Sequence, residues 1–152
     1  MTSTIMIKRE TLCQVAMDAD ALLAEHYEEL CLHKDRKALA PRWDQYMLQE
    51  HAGALLVVAA RDEGALVGYA CFFVVPHMHY DKYTVAVNDV LFLSAAHRQG
   101  TTGIRLIREC IRQARDFGAH HIAWRAKLGT PLIPILKRLG HHEEEIVLGM
   151  PL

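Results

Sequence analysis

Apolar residues recur along this chain at two different periods, and the switches between them divide it into elements. Leu12, Val15, Ala16, Ala19, Leu22, Leu23, Tyr27 and Leu30 follow one another at threes and fours, which gathers them on one face of a helix. The spacing predicts a single helix over residues 12–32, preceded by a short β-like segment at 5–8. The polar stretch 33–40 ends that helix; Pro41 suits the opening of a second over 42–51, and Gly53 suits its C-terminal cap. Beyond it the pattern turns to strands. Residues 54–60 and 66–75 are rich in Leu and Val, and Asp62-Glu63-Gly64 supplies turn chemistry between them, so the pair reads as an antiparallel hairpin. Pro76 closes its second strand, residues 77–82 form a loop, and 84–93 read as the third strand of a meander.

Helical spacing returns after a polar, glycine-containing loop at 94–101. Ile104, Ile107, Cys110, Ile111, Ala114 and Phe117 share one side, with Gly118 as the cap. Residues 121–124 read as a fifth strand, parallel to the third because a right-handed helical crossover joins them. A short helix over 132–139 stops at Gly140, and residues 145–148 are expected to close the sheet. No repeat, low-complexity tract or linker interrupts the pattern, so residues 1–152 are expected to form one α/β domain.

Composition narrows the function. Seventeen basic and eighteen acidic residues leave a formal charge of −1, so no overall field draws the chain to nucleic acid or to an anionic membrane, and any anion site must be local. The longest uncharged apolar run, 65–75, falls short of the ~20 residues of a spanning helix, and residues 1–10 lack the apolar core of a signal peptide. Cys13, Cys31, Cys71 and Cys110 are widely spaced, without a C-x-x-C pair, and read as reduced thiols of a cytoplasmic protein. Ten histidines raise the alternatives of a metal site, a pH sensor or a general base. His77 and His79 with Asp89 could supply three metal donors, but the remaining histidines scatter through separate elements and no H-E-x-x-H occurs, so no metal is expected.

The most informative segment joins the third strand to the helix that follows: Leu91-Phe92-Leu93-Ser94-Ala95-Ala96-His97-Arg98-Gln99-Gly100-Thr101-Thr102-Gly103-Ile104. A small-residue loop at a helix N-terminus offers unpaired backbone N–H groups and the positive end of the helix dipole, and its natural ligand is a phosphate or pyrophosphate. It carries neither G-x-G-x-x-G nor G-K-[ST]. The segment resembles the coenzyme A loop of the GNAT acetyltransferase superfamily, R/Q-x-x-G-x-G/A after a strand. Arg98, Gln99, Gly100, Thr102 and Gly103 fall on that pattern, with Thr101 where its first glycine usually stands. Residues 136–141, Leu-Lys-Arg-Leu-Gly-His, resemble the superfamily's Y-x-K-x-G-F ending, with Leu136 in place of the tyrosine that protonates the departing thiolate in many members.

The resemblance implies a mixed, mostly antiparallel central sheet flanked by helices, with a parallel strand pair around the coenzyme A loop. It also implies an acetyl-CoA-dependent N-acetyltransferase that moves the acetyl group directly to a primary amine of a small molecule or peptide, without an acyl-enzyme intermediate. Homodimers are common in the superfamily. By similarity, the backbone of Leu91, Phe92 and Leu93 would hold pantetheine and thioester, and Arg98, Gln99, Gly100, Thr101, Thr102, Gly103 and Ile104 the pyrophosphate. Asp89 is placed as the base, on the face of Leu91 by strand alternation, with His79 and Tyr80 as alternatives; its other reading is a bulge cap or an ion-pair partner. Arg105 stands one turn beyond the loop as a further cofactor contact, and Glu25, Glu28, Glu29 and Asp44 as a frame for an amine. The departures at Thr101 and Leu136 keep a second reading open, a catalytically silent coenzyme A-binding module.

Overall fold

A computed structural model describes residues 4–152; the first three residues of the expected domain lie outside it. The elements are β1 (Met6–Arg9), α1 (Leu12–Ala16), α2 (Asp20–Leu30), α3 (Trp43–His51), β2 (Leu55–Asp62), β3 (Ala65–Pro76), β4 (Thr84–Leu93), a 3-10 turn (Ala95–His97), α4 (Thr102–Asp116), β5 (His121–Ala123) and α5 (Leu132–Arg138). Among the described residues, five strands form one sheet in the order β1-β2-β3-β4-β5. The first four pair antiparallel, and β4 pairs parallel with β5. The mixed sheet with its parallel pair is the architecture anticipated from the sequence.

Helices cover both faces, and β2 shows why its sequence is a continuous apolar run rather than an alternating one. Leu55, Val57 and Ala59 join the core beneath α1, α2 and α3, while Leu56, Val58 and Ala60 join the core beneath α4. All six are at most 2% exposed. Gly68 of β3 permits a close crossing: a Cβ there would lie 2.9 Å from Leu93 Cδ1 and 3.1 Å from the Phe92 carbonyl oxygen, so β4 approaches to a distance no larger residue would allow.

Two expectations are corrected. The helix over 12–32 is two helices, broken at Met17-Asp18. In an unbroken helix the Gln14 carbonyl would accept from the N–H of Asp18. Here it accepts from Arg61 Nη2 at 3.1 Å, Arg61 Nη1 donates to the Asp18 carboxylate at 2.8 Å, and the Asp18 N–H turns back to Val15. Arg61 also holds the buried Glu10 carboxylate at 2.9 Å, so one guanidinium fixes the start of the first layer of helices. A capping box between Thr11 and Gln14 sets the N-terminus of α1.

Residues 145–148, expected as a closing strand, are irregular and exposed, with Ile146, Val147 and Leu148 between 79% and 91% accessible. β5 offers an edge of only three residues, and the tail meets it through a side chain, Glu144 Oε2 to His121 Nε2 at 3.0 Å.

Candidate active site

The site arises where β4 parts from both of its neighbours' regular patterns. On the β3 side the register slips: Cys71 faces Val90 and Phe72 faces Asn88, so Asp89 is the extra residue of a β-bulge. The bulge resets the alternation and corrects the placement of Asp89 beside Leu91. Leu91 and Leu93 pack under α4, as does Ala86. Asp89 instead turns to the opposite layer, where its carboxylate accepts a short hydrogen bond from the Tyr46 hydroxyl of α3. Tyr46 lies parallel to Phe73 at 6.1 Å, and burial is the main cause pushing its phenol up, followed by the bond to Asp89.

On the β5 side the parallel ladder ends at Val87 with Ala123. Asn88, 2% exposed, replaces the next rung with its side chain: Oδ1 accepts from the Arg125 N–H, and Nδ2 donates to the Arg125 carbonyl at 3.4 Å. Beyond that clamp, among the described residues, no backbone hydrogen bond joins residues 89–93 to β5. A strand edge therefore opens into a cleft that leads to the loop before α4.

That loop is fixed from α2. Glu25 accepts from the Ala95 N–H at 2.9 Å, and Glu29 pairs with Arg98 at 2.7 Å. Arg98 also donates through Nε to the Leu93 carbonyl at 2.8 Å and lies over the Phe92 ring, so its side chain braces the loop from behind. Gln99, Gly100 and Thr101 are exposed. Gly100 takes the left-handed conformation, φ +69°, which glycine adopts at least cost. Thr101, at the usual glycine position, has φ −105°, a region open to any residue. Among the described residues no side chain caps α4, leaving its first N–H groups and dipole directed at solvent. Thr102 is buried, Ile104 is half-buried, and a Cβ added at Gly103 would meet only Leu93 Cδ2, at 3.9 Å. Of the strand residues, Phe92 and Leu93 are buried, which leaves their backbone as the part that can face a ligand.

Other candidates fall elsewhere. His79 and Tyr80 sit in the loop before Thr84, closed by the His77 N–H to the Tyr83 carbonyl at 2.7 Å. The paired segment of β4 separates them from Asp89 by five residues beyond Thr84, about 17 Å of strand. The same separation parts His77 and His79 from Asp89, so those three do not converge. Arg105 donates to the Ile5 carbonyl at 2.7 Å, tying α4 to the approach of β1. Leu136 is 6% exposed and belongs to the interior. Burial pushes the Cys71 thiol up to about 12 and raises Cys110 as well, so neither supplies a thiolate.

Two side chains that the sequence reading passed over complete the site. Tyr46 is one. The other is His26 of α2, whose Nδ1 lies 2.6 Å from the Tyr69 hydroxyl and whose ring stacks on Phe92 at 4.6 Å. Burial holds His26 below its ordinary pKa, so the ring is neutral near pH 7. Its sequence signal is position: four residues after Leu22 and four before Leu30, on the stripe that packs α2 against the sheet.

Residues 19–141 match the acetyltransferase (GNAT) family. No curated protein sequence matches the chain. Among solved structures, an aminoglycoside acetyltransferase from an uncultured soil metagenomic sample superposes with a TM-score of 0.77 at 20% identity, over 98% of this chain and 99% of that one. A transcriptional regulator from Bacillus halodurans C-125 gives 0.77 at 17% identity, over 98% and 100%. The ribosomal-protein-alanine N-acetyltransferase of Brucella melitensis biovar Abortus 2308 gives 0.73 at 17%, over 98% and 99%. At these identities the likeness is one of fold.

Proposed function

The chain belongs to the acetyltransferase (GNAT) family, and from that premise we propose that it is an acetyl-CoA-dependent N-acetyltransferase acting on a primary amine. The observation that carries the reading is the clamp at Asn88, which opens the edge of β4 directly upstream of an uncapped helix N-terminus. The residues present fit coenzyme A. Exposed N–H groups at the start of α4 suit a pyrophosphate, Gly103 keeps their approach clear where the fold itself would tolerate a side chain, and the backbone of 89–93 has donors and acceptors free for an extended pantetheine. Bound there, acetyl-CoA supplies an activated acyl thioester.

The chain's own part is orientation and proton handling. N–H groups on the open edge of β4 are positioned to donate to a carbonyl oxygen as negative charge grows on it, a contribution that preorganisation makes effective. Asp89, exposed on the α3 side and oriented by Tyr46, receives the proton of an incoming ammonium, directly or through water. His26, held neutral and stacked on Phe92 of the same layer, is a second group that takes up a proton there, by giving up the Tyr69 hydrogen bond at Nδ1. Leucine at 136 offers no hydroxyl, so the departing thiolate takes its proton from water in the open cleft. The similarity in fold to acetyltransferases of aminoglycosides and of a ribosomal protein's alanine is compatible with either a small-molecule or a peptide acceptor.

The test is thiol release from acetyl-CoA across a panel of amines, with the acetylated amine identified by mass. Acetyl transfer to an amine is expected. Coenzyme A binding without thiol release on any amine would instead favour the silent binding module.

A further inference from the structure

Resting on the transferase reading, we infer that the acceptor is an amine that also carries an anionic group, and that Arg42 recognises that group. Arg42, Tyr46 and Gln49 stand at i, i+4 and i+7 along α3 and its N-cap, so they share one helix face. With Ala40, Pro41, Gln45 and Phe73 they line a groove of about 480 Å³. Its floor is the Tyr46 ring stacked on Phe73, and the same Tyr46 donates through its hydroxyl to Asp89. Tyr46 therefore links the groove to the carboxylate that meets the amine.

Its outer end carries positive charge. Arg42 is exposed and, among the described residues, its guanidinium makes no hydrogen bond or ion pair. The nearest acid in sequence, Asp44, accepts from the Gln45 side chain at 3.0 Å, and this bond first and then the Arg42 charge hold its carboxyl below the ordinary range without an ion pair forming. Arg42, at the N-cap, stands four residues, about 6 Å of helical rise, before Tyr46. A planar guanidinium with free N–H groups recognises a carboxylate or phosphate through paired hydrogen bonds. An acid at one end, a flat apolar floor and a cation at the other match an amine joined by a short chain to an anion.

Three acids of α2 are committed away from Arg42. Glu25 accepts from Ala95, Glu28 pairs with Lys34 at 2.9 Å, and Glu29 pairs with Arg98.

The experiment compares pentylamine, 5-aminopentanoate, O-phosphoethanolamine and pentane-1,5-diamine as acceptors with the full chain and acetyl-CoA. The carboxylate or phosphate amine is expected to exceed both pentylamine and the diamine in kcat/KM by about tenfold or more. Arg42→Ala should bring that ratio to within about twofold, and Arg42→Glu should reverse it in favour of the diamine, while the KM for acetyl-CoA stays constant. Which anionic amine leads identifies carboxylate or phosphate as the partner of Arg42. Faster turnover of the diamine by the unaltered protein, or an equal loss with all four acceptors in Arg42→Ala, overturns the inference and leaves the transferase reading intact. If none of the four releases thiol, calorimetric titration of the same compounds into the coenzyme A complex decides it separately. Anionic amines binding more tightly, dependent on Arg42, support the inference; diamine binding as tight or tighter overturns it.

Discussion

Asn88 places both polar ends of its side-chain amide on the backbone of Arg125, and in doing so ends the pairing of β4 with β5. The cleft is thus held open by a specific buried side chain. Asn88→Leu keeps the bulk and removes both bonds, leaving the Arg125 N–H and carbonyl without their partners. Unfolding in urea should show a loss of about 1–3 kcal/mol, together with a higher KM for acetyl-CoA. A loss of stability with unchanged KM would assign Asn88 to folding alone.

Gly103→Asp separates cofactor binding from stability by sign. A carboxylate in the first turn of α4 complements the helix dipole, and its Cβ meets nothing closer than Leu93 Cδ2 at 3.9 Å, so the thermal midpoint should hold or rise. The same charge faces the incoming pyrophosphate and should reduce coenzyme A affinity by at least about tenfold. Undiminished affinity in a calorimetric titration would move the cofactor away from this loop.

The strands of the sheet, its parallel pair and the loop that opens α4 were legible because each depends on neighbours in sequence: period, turn residues, and a glycine before a helix. What stayed hidden depends on distant partners. The break between α1 and α2 requires Arg61, far along the chain, to take the Gln14 carbonyl. The pairs Tyr46 with Asp89 and His26 with Tyr69 each span forty-three residues, and no local pattern announces them. The bulge at Asp89 was equally silent, since Val85, Val87, Val90 and Phe92 suit a strand with or without a reset, yet that one residue decides which layer the carboxylate enters. In the tail, Ile146, Val147 and Leu148 have strand propensity but find no partner edge long enough to pair with.

Tyr46→Phe tests whether Asp89 works as an oriented group. The ring and its stacking on Phe73 survive, while the hydrogen bond to Asp89 is lost. Turnover should fall by about tenfold, the KM for acetyl-CoA should stay constant, and Asp89→Asn should lower turnover further. Unchanged turnover in both variants would remove this pair from the chemistry.

His26 gives the site an acid-side dependence whose direction follows from its environment. Burial lowers its pKa in the folded chain below the ordinary value of 6.5, so the unfolded chain binds the proton more readily. Stability linked to His26 is then complete above about pH 6.5 and is lost as pH falls through the folded value. Tyr69, whose phenol burial pushes up, keeps its proton and can donate to Nδ1 of the neutral ring; a protonated ring carries a hydrogen there and loses that acceptor. His26→Gln retains an amide acceptor for Tyr69 and cannot titrate. Thermal midpoints measured from pH 8 to pH 5 should therefore decline less steeply in His26→Gln than in the unaltered chain. The pH dependence of kcat/KM then assigns the chemistry: an acid limb that vanishes in His26→Gln makes His26 the proton acceptor, whereas a limb retained there removes His26 from that role.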